Sequence, residues 1–236
     1  MLDQLKQVDN RRLYQQIADQ IRSLIQKGNF AAGARLPPER DLAQQLGVSR
    51  PSIREALIAL EVEGSVEVRM GAGVYVSQAQ ERNAHPTAAM GESPIELMQA
   101  RSALEGSVVM LACARAAPEA LLALRHSVDE MRAAIAHGRA PLGLDRQFHV
   151  LIAALTGNSV LERLVGELFD ERHSPISAQL SVRSESSQTW AQALEEHEAI
   201  LQALESRDVL DAQNSMRSHL KASQERWVQS SRREWS

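Results

Sequence analysis

The sequence predicts a mainly α fold in two parts: three helices plus a β-hairpin, then an all-α bundle of six or seven helices. Three observations predict it. Apolar residues recur at spacings of three and four through most of the chain, and alternation of the β kind is confined to the stretch around Gly71 and Gly73. Aromatic residues make up only 3% of the 236, so Leu, Ile, Val, Ala and Met must fill the cores, a composition that favours helix. A chain of this length exceeds the usual single domain, and the expected division is residues 8–77, a linker over 78–93 and a second domain over 94–230.

In the first part, Leu13, Ile17, Ile21, Leu24 and Ile25 share one helix face, and Gly28 is a natural stop. Pro37 and Pro38 precede a short helix carrying Leu42, Ala43 and Leu46, which ends at Gly47. Ser49 is the expected N-cap of a third helix, with Ile53, Ala56, Leu57 and Leu60 as its apolar stripe and Gly64 as its end. Helix, glycine-bearing turn and helix make a helix-turn-helix. Val66, Val68, Val74 and Val76 then alternate around Met70-Gly71-Ala72-Gly73, which predicts a hairpin, so that the whole reads as a winged helix-turn-helix. The stretch 77–92 has Pro86 and Gly91 but no apolar period, hence the linker.

Beyond Pro94 the periodicity predicts helices over 95–116, 118–137, 142–155, 159–172, 190–205 and 208–228, with the serine-rich region 173–189 left unassigned. The single cysteine, Cys113, excludes an intramolecular disulfide and a cysteine-based zinc cluster, and it suits a reducing cytoplasm. No apolar run is long enough for a membrane span, so the expected location is the cytoplasm, on the nucleoid when bound to DNA.

The net charge of −4 is unevenly shared. Residues 1–78 carry 10 Lys/Arg against 9 Asp/Glu, so the acidic excess lies in the second part. What matters for nucleic acid is where the basic groups cluster. The third helix opens Ser49-Arg50-Pro51-Ser52-Ile53-Arg54, placing two arginines and two hydroxyls at the end of a recognition helix that enters a major groove. Arginine can donate two hydrogen bonds to guanine or reach phosphate, and hydroxyls hold the backbone. Arg40 and Arg69 stand where backbone or minor-groove contact is expected. The alternative is ordinary surface pairing, Arg50 with Glu55 and Arg54 with Glu61.

The run Arg35-Leu36-Pro37-Pro38-Glu39-Arg40-Asp41-Leu42-Ala43, with Leu46-Gly47-Val48-Ser49-Arg50, Arg54-Glu55-Ala56-Leu57 and Gly71-Ala72-Gly73-Val74-Tyr75-Val76, resembles the signature of GntR-family winged-helix regulators. The resemblance implies that Arg40, Ser49, Arg50, Ser52 and Arg54 touch DNA and that Gly71 and Gly73 let the wing approach the minor groove. Met70 stands where many relatives carry a polar or basic residue.

In the second part, Asp145 and His149 lie one helical turn apart. His197 and His219 are equidistant from Asp208, where the last two helices turn, so an antiparallel pair brings them face to face. One carboxylate and three imidazoles suit a divalent metal, with zinc foremost and nickel, manganese or iron as alternatives. The other reading is a solvated Asp–His pair and two unrelated histidines. Asp145-Arg146-Gln147-Phe148-His149, Gly157-Asn158, Glu196-His197-Glu198-Ala199-Ile200 and Met216-Arg217-Ser218-His219-Leu220 are similar to the FadR-like branch of that family, with its FCD domain. The resemblance implies metal ligation by Asp145, His149, His197 and His219, and an effector carboxylate at Arg101, with Asn158 also at the effector. For Arg101 the alternative is a helix-surface pair with Glu105. The stretch Glu96–Arg101 and the wing look like the hexuronate-responsive members of the branch.

The expected protein is therefore a homodimeric transcription regulator that binds a palindromic operator in double-stranded DNA, a repressor released by a small carboxylate, such as a sugar acid, at the metal. A regulator for which the ion itself is the signal is the second reading. A metal-dependent enzyme is disfavoured, because His197-Glu198 is followed by Leu201 where the zinc-protease motif needs histidine.

Overall fold

The structure, a computed structural model, describes residues 12–69, 71–78 and 90–235. It divides into two compact units, one running to Ser93 and one over Pro94–Arg233.

The first unit contains α1 (Leu13–Gln26), α2 (Glu39–Leu46), α3 (Arg50–Val62) and a hairpin of β1 (Val66–Arg69) and β2 (Gly73–Val76). Ile17, Ala18 and Ile21 of α1 meet Ile53, Ala56, Leu57 and Leu60 of α3 in one buried cluster, which Leu36, Leu42, Val66, Val74 and Val76 complete. The turn between α2 and α3 is made by Gly47 in the left-handed region at φ 66°, a conformation that favours glycine. Ser49 then caps α3 by accepting a hydrogen bond from the Ser52 amide at 3.2 Å. The hairpin pairs Val66 with Val76 and Val68 with Val74. An addition the alternation did not reveal is the segment before α2, where Leu36 N donates to Val74 O at 2.8 Å and Val76 N to Ala34 O at 2.9 Å. This pairing covers the outer edge of β2.

Most of the linker expected over 78–93 lies outside the described residues, as do residues 8–11 and Met70. Residues 90–93 belong to the first unit. Met90 is buried, Tyr14 Oη donates to Gly91 O at 2.8 Å, and Ser93 Oγ donates to the buried Glu55 carboxylate at 2.8 and 3.0 Å.

The second unit holds α4 (Pro94–Arg115), α5 (Pro118–Ala136), α6 (Leu142–Ala154), α7 (Ser159–Asp170), α8 (Pro175–Ser184), α9 (Ser187–Glu205) and α10 (Val209–Trp235). Its core gathers Val109, Cys113, Leu124, Met131, Phe148, Ile152, Val165, Ile200, Leu204, Met216 and Leu220 from α4, α5, α6, α7, α9 and α10. The unassigned region 173–189 contains α8 and the start of α9, which Ser186 caps by accepting from the Thr189 amide. Its serines act as caps and as buried hydroxyls, a use that leaves little apolar period to read. No described helix is long and apolar enough to cross a membrane.

Candidate functional site

The tip of α3 is open to solvent at Ser49 and Arg50. Ser49 and Ser52 hydroxyls lie 2.8 Å apart at the first turn. The two arginines expected there part company. Arg50 keeps half of its side chain exposed while donating to Glu39 at 3.0 Å. Arg54 is withdrawn to 5% exposure, its Nη2 donating to the same carboxylate at 2.9 Å and its Nε lying 2.8 Å from the other oxygen. Glu39, buried at the start of α2, thus anchors both, whereas the sequence suggested Glu55 and Glu61; Glu55 instead accepts from Ser93. In this conformation Arg54 is a structural ion pair, and reaching a DNA backbone would require it to leave Glu39.

Arg40 is the most open of the basic groups, with 82% of its side chain exposed beside Asp41. Arg69 stacks over the Tyr75 ring at 4.3 Å and pairs with Glu67. Gly73, expected to matter for the wing's approach to DNA, has an internal reason for its identity. At φ 105° a Cβ would stand 2.7 Å from the Arg35 guanidinium. Gly71, at φ 66°, has open space around it.

In the second unit, α6 supplies Asp145 and His149, α9 His197 and α10 His219, all buried, with one ligand-type atom of each within 4.8 Å of the others. Nε2 of His197 lies 3.3 Å from Nε2 of His219 and 3.3 Å from Asp145 Oδ1, and His149 Nε2 is 3.7 Å from that oxygen. Zinc–nitrogen bonds of about 2.0–2.1 Å set tetrahedral ligand atoms roughly 3.3 Å apart, so the spacing fits a metal of that size. His149 Nε2 is buried without a hydrogen-bond partner among the described residues, which is the state of a nitrogen placed for a cation.

Other atoms of the cluster are held by neighbours whose part there no spacing reveals, while His197 Nδ1 is buried without a hydrogen-bond partner among the described residues. His149 Nδ1 meets Glu105 at 2.5 Å and His219 Nδ1 meets Glu196 at 2.8 Å, arrangements that fix the ring so that Nε2 carries the lone pair. Asp145 Oδ2 accepts from Arg172 at 2.9 Å, and Glu196 from Arg226 at 2.6 and 2.9 Å. Glu196 directly precedes His197, so α9 offers a candidate ligand and a supporting carboxylate from neighbouring residues.

Burial pushes the His197 imidazole well below its ordinary range, and the adjacent His219 adds to this; burial also lowers His219. Both are therefore neutral near pH 7, as ligation demands. For His149 burial acts downward too, but Glu105 outweighs it and raises the imidazole. Burial would lift the Glu105 carboxyl, yet Arg101 and His149 hold it down at about 2. Asp145 is likewise held well below the carboxylate range against its burial, by His149, His197 and Arg172.

Arg101 makes the expected pair with Glu105, but in the interior and not on the helix surface. It is 2% exposed and bonds the equally buried Glu105 at 2.7 Å, with its guanidinium 4.7 Å from the centre of the Phe169 ring. It is thus a buried partner of the carboxylate behind His149, and its Nη2 is left without an acceptor among the described residues. Asn158, expected at the effector, is exposed instead and caps α7, its side-chain oxygen accepting from the amides of Val160 and Leu161. Beside the cluster, Asp145, Arg172, Trp190, His219, Arg226 and Trp227 are among the groups lining a cavity of about 30 Å³.

A winged helix with a solvent-facing basic tip, in a chain whose second unit is a helical bundle around a buried Asp–His cluster, defines a DNA-binding regulator. Residues 13–76 match the family described as bacterial regulatory proteins, gntR family, and residues 96–222 match the FCD domain. The chain is 36% identical over 226 residues to the Uxu operon transcriptional regulator of Escherichia coli K12, covering 92% of this chain and 88% of that protein. It is 34% identical over 219 residues to the Exu regulon transcriptional regulator of the same organism, covering 89% and 82%. The solved E. coli McbR/YncC is 21% identical, with a TM-score of 0.53 over 93% of this chain and 98% of that one, a likeness of fold. The chain belongs to the GntR family of transcription regulators, in the branch that carries an FCD domain.

Proposed function

We propose that the chain is a homodimeric repressor whose hold on a palindromic operator is released when a sugar acid binds at a divalent metal held by Asp145, His149, His197 and His219. The observation that carries this reading is the convergence of three imidazole Nε2 atoms and one carboxylate oxygen in a buried cluster that opens onto a cavity with two arginines. The metal, when bound, supplies a positive centre that attracts an organic carboxylate. The chain's own part is to hold the ligand atoms in register: Glu105 and Glu196 orient the rings, and Arg172 fixes Asp145.

Arg40, Arg50, Ser49 and Ser52, with Arg54, Arg69, Gly71 and Gly73 behind or beside them, form the DNA face; two-fold pairing of chains presents two such tips to adjacent half-sites. The relatives named for the Uxu operon and the Exu regulon, with the hexuronate-type pattern of the wing and of Glu96–Arg101, favour a sugar acid as the effector. An acid that binds the operator-incompetent arrangement more tightly lowers DNA affinity by its differential affinity for the two states.

A second reading, in which the ion alone is the signal, is favoured by the number of candidate protein ligands, four, which is what a closed zinc shell needs. One experiment separates them. Operator duplexes are selected from a random library with zinc-loaded protein, and affinity is measured at fixed salt. On the effector reading, D-glucuronate weakens binding about tenfold or more and chelation abolishes that response. A change with zinc alone and none with acid favours the ion as signal; no change with either contradicts both.

A further inference from the structure

The hairpin of the first unit has two faces. Val66, Val74 and Val76 are buried on the inner one. Alternation along the strands sends Glu67, Arg69, Gly73 and Tyr75 to the outer one. The segment before α2 joins as a short third strand: Gly33 N donates to Val76 O at 2.9 Å, Leu36 N donates to Val74 O at 2.8 Å, and Arg35 stands opposite Tyr75. Directly opposed residues share a face, so Glu67, Tyr75 and Arg35 form a row across the outside of the wing. Arg35 thus belongs to the wing although it lies well before the hairpin in the chain.

The two arginines of this face are in different states. Arg69 is satisfied within the hairpin, its Nη2 donating to Glu67 at 3.0 Å and its guanidinium stacking over the Tyr75 ring. Arg35 is exposed, and among the described residues its guanidinium has no hydrogen bond or ion pair. It is nevertheless held in place. Its Nε, Nη2 and Cζ lie 2.7, 2.9 and 3.2 Å from where a Cβ on Gly73 would stand, so the guanidinium occupies space that only glycine leaves. Residues 70–73 at the tip carry no charge. A planar cation seated by the fold, with its donors pointed at no acid of its own unit, suits an external oxyanion.

We propose that Arg35 is the wing's phosphate contact: its guanidinium, seated against Gly73, pairs with a DNA backbone phosphate beside the groove that the wing enters and adds affinity that does not depend on sequence. This rests on the DNA face proposed above. It adds a residue from outside both the helix-turn-helix tip and the hairpin, and it makes the seating of Arg35 the reason for glycine at position 73. It also separates a charge that positions the wing from Arg50, which stands where bases are read.

The test is anisotropy titration of the full chain with the selected operator duplex and with a random-sequence duplex of the same length, over salt from about 50 to 200 mM. Arg35→Gln is expected to make the slope of log affinity against log salt shallower by about one per half-site. It weakens both duplexes by the same factor, roughly tenfold, and leaves their ratio and the melting temperature unchanged. Arg35→Lys keeps the charge and therefore the native slope. Gly73→Ala, which unseats the guanidinium, lowers the slope as Arg35→Gln does, and the double variant shows no further fall. An unchanged slope in Arg35→Gln, or a loss confined to the operator, would overturn the phosphate contact and leave the DNA face standing. A lysine variant that melts like the parent yet has the glutamine variant's slope would overturn it too. Binding of neither duplex by the native chain would overturn the DNA face and this contact with it.

Discussion

His197 and His219 bring their Nε2 atoms to 3.3 Å across the α9–α10 hairpin, both rings buried. Burial holds both imidazoles below their usual range, so at neutral pH two uncharged rings face each other, each with a nitrogen lone pair that a cation between them would satisfy. Glu196 brings a carboxylate to 2.8 Å from His219 Nδ1, and Asp145 brings one to 3.3 Å from His197 Nε2. Everything around this pair follows from keeping it neutral, oriented and dry.

Glu105 is the support whose loss should be felt first. Its two oxygens are divided between Arg101 and His149, so Glu105→Gln keeps the shape but no longer accepts from the His149 ring as an anion. Metal affinity is expected to fall about 10–100-fold with the helical content retained. Zinc competition against a chromophoric chelator measures it, and an unchanged affinity would show that His149 is oriented by its packing alone.

The two arginines at the recognition helix should separate by experiment as they do by burial. Arg50→Ala removes an exposed guanidinium and is expected to weaken operator binding by roughly 1–3 kcal/mol with little change in melting temperature. Arg54→Ala leaves the buried Glu39 carboxylate with the half-exposed Arg50 alone and is expected to cost about 1–3 kcal/mol of stability. Paired melting curves and anisotropy titrations decide the matter; an Arg54 variant as stable as the parent would contradict the structural role assigned to it.

The outline of this molecule was legible because its signals are local. Gly28, Gly47 and Gly64 close helices where the apolar stripes end, and Pro118 opens one, so most element boundaries could be placed to within a residue or two. The meeting of His197 with His219 was legible for a simple reason of symmetry, since residues equidistant from a hairpin turn meet, while the full set with Asp145 and His149 came from the family resemblance. The supports of that set were not legible, because Glu105 approaches His149 from a different helix and no spacing reports that. Glu39 escaped notice similarly, since its two arginine partners lie 11 and 15 residues away on α3. Region 173–189 stayed unread because its helix is short and serine-rich, with Ser177 and Ser184 buried and Ser186 already capping α9.

Ser93 occupies the last position before α4, the helix that carries Arg101 and Glu105, and its hydroxyl bonds Glu55 of the recognition helix. Ser93→Ala removes the only side-chain oxygen by which that residue can donate. Effector affinity is expected to stay within about twofold, while the drop in operator affinity on adding effector shrinks about fivefold. Operator titrations with and without D-glucuronate report this coupling, and a full response in the variant would sever Ser93 from signal transmission.

Acid should weaken the metal-free second unit. Glu105, held down at about 2, and Glu196, lowered against its burial by His219 and Arg226, contribute stability that is present above the ordinary carboxylate range and lost as the pH falls toward those values. His197 and His219, lowered by burial, act in the same direction below about 6.5, while the raised His149 opposes them. Urea unfolding followed by tryptophan fluorescence in chelator is expected to give a midpoint that declines from pH 7 to 3. A midpoint constant over that range would contradict the charge assignments.

The most direct test of the account is a zinc titration of the chelator-stripped protein by calorimetry, beside the His197→Ala/His219→Ala double variant. The account predicts one ion bound per native chain and a loss of affinity of more than about a hundredfold in the variant with its helix content preserved. A native chain that takes up no ion, or a double variant that binds it equally well, would contradict the claim that Asp145, His149, His197 and His219 are a metal centre.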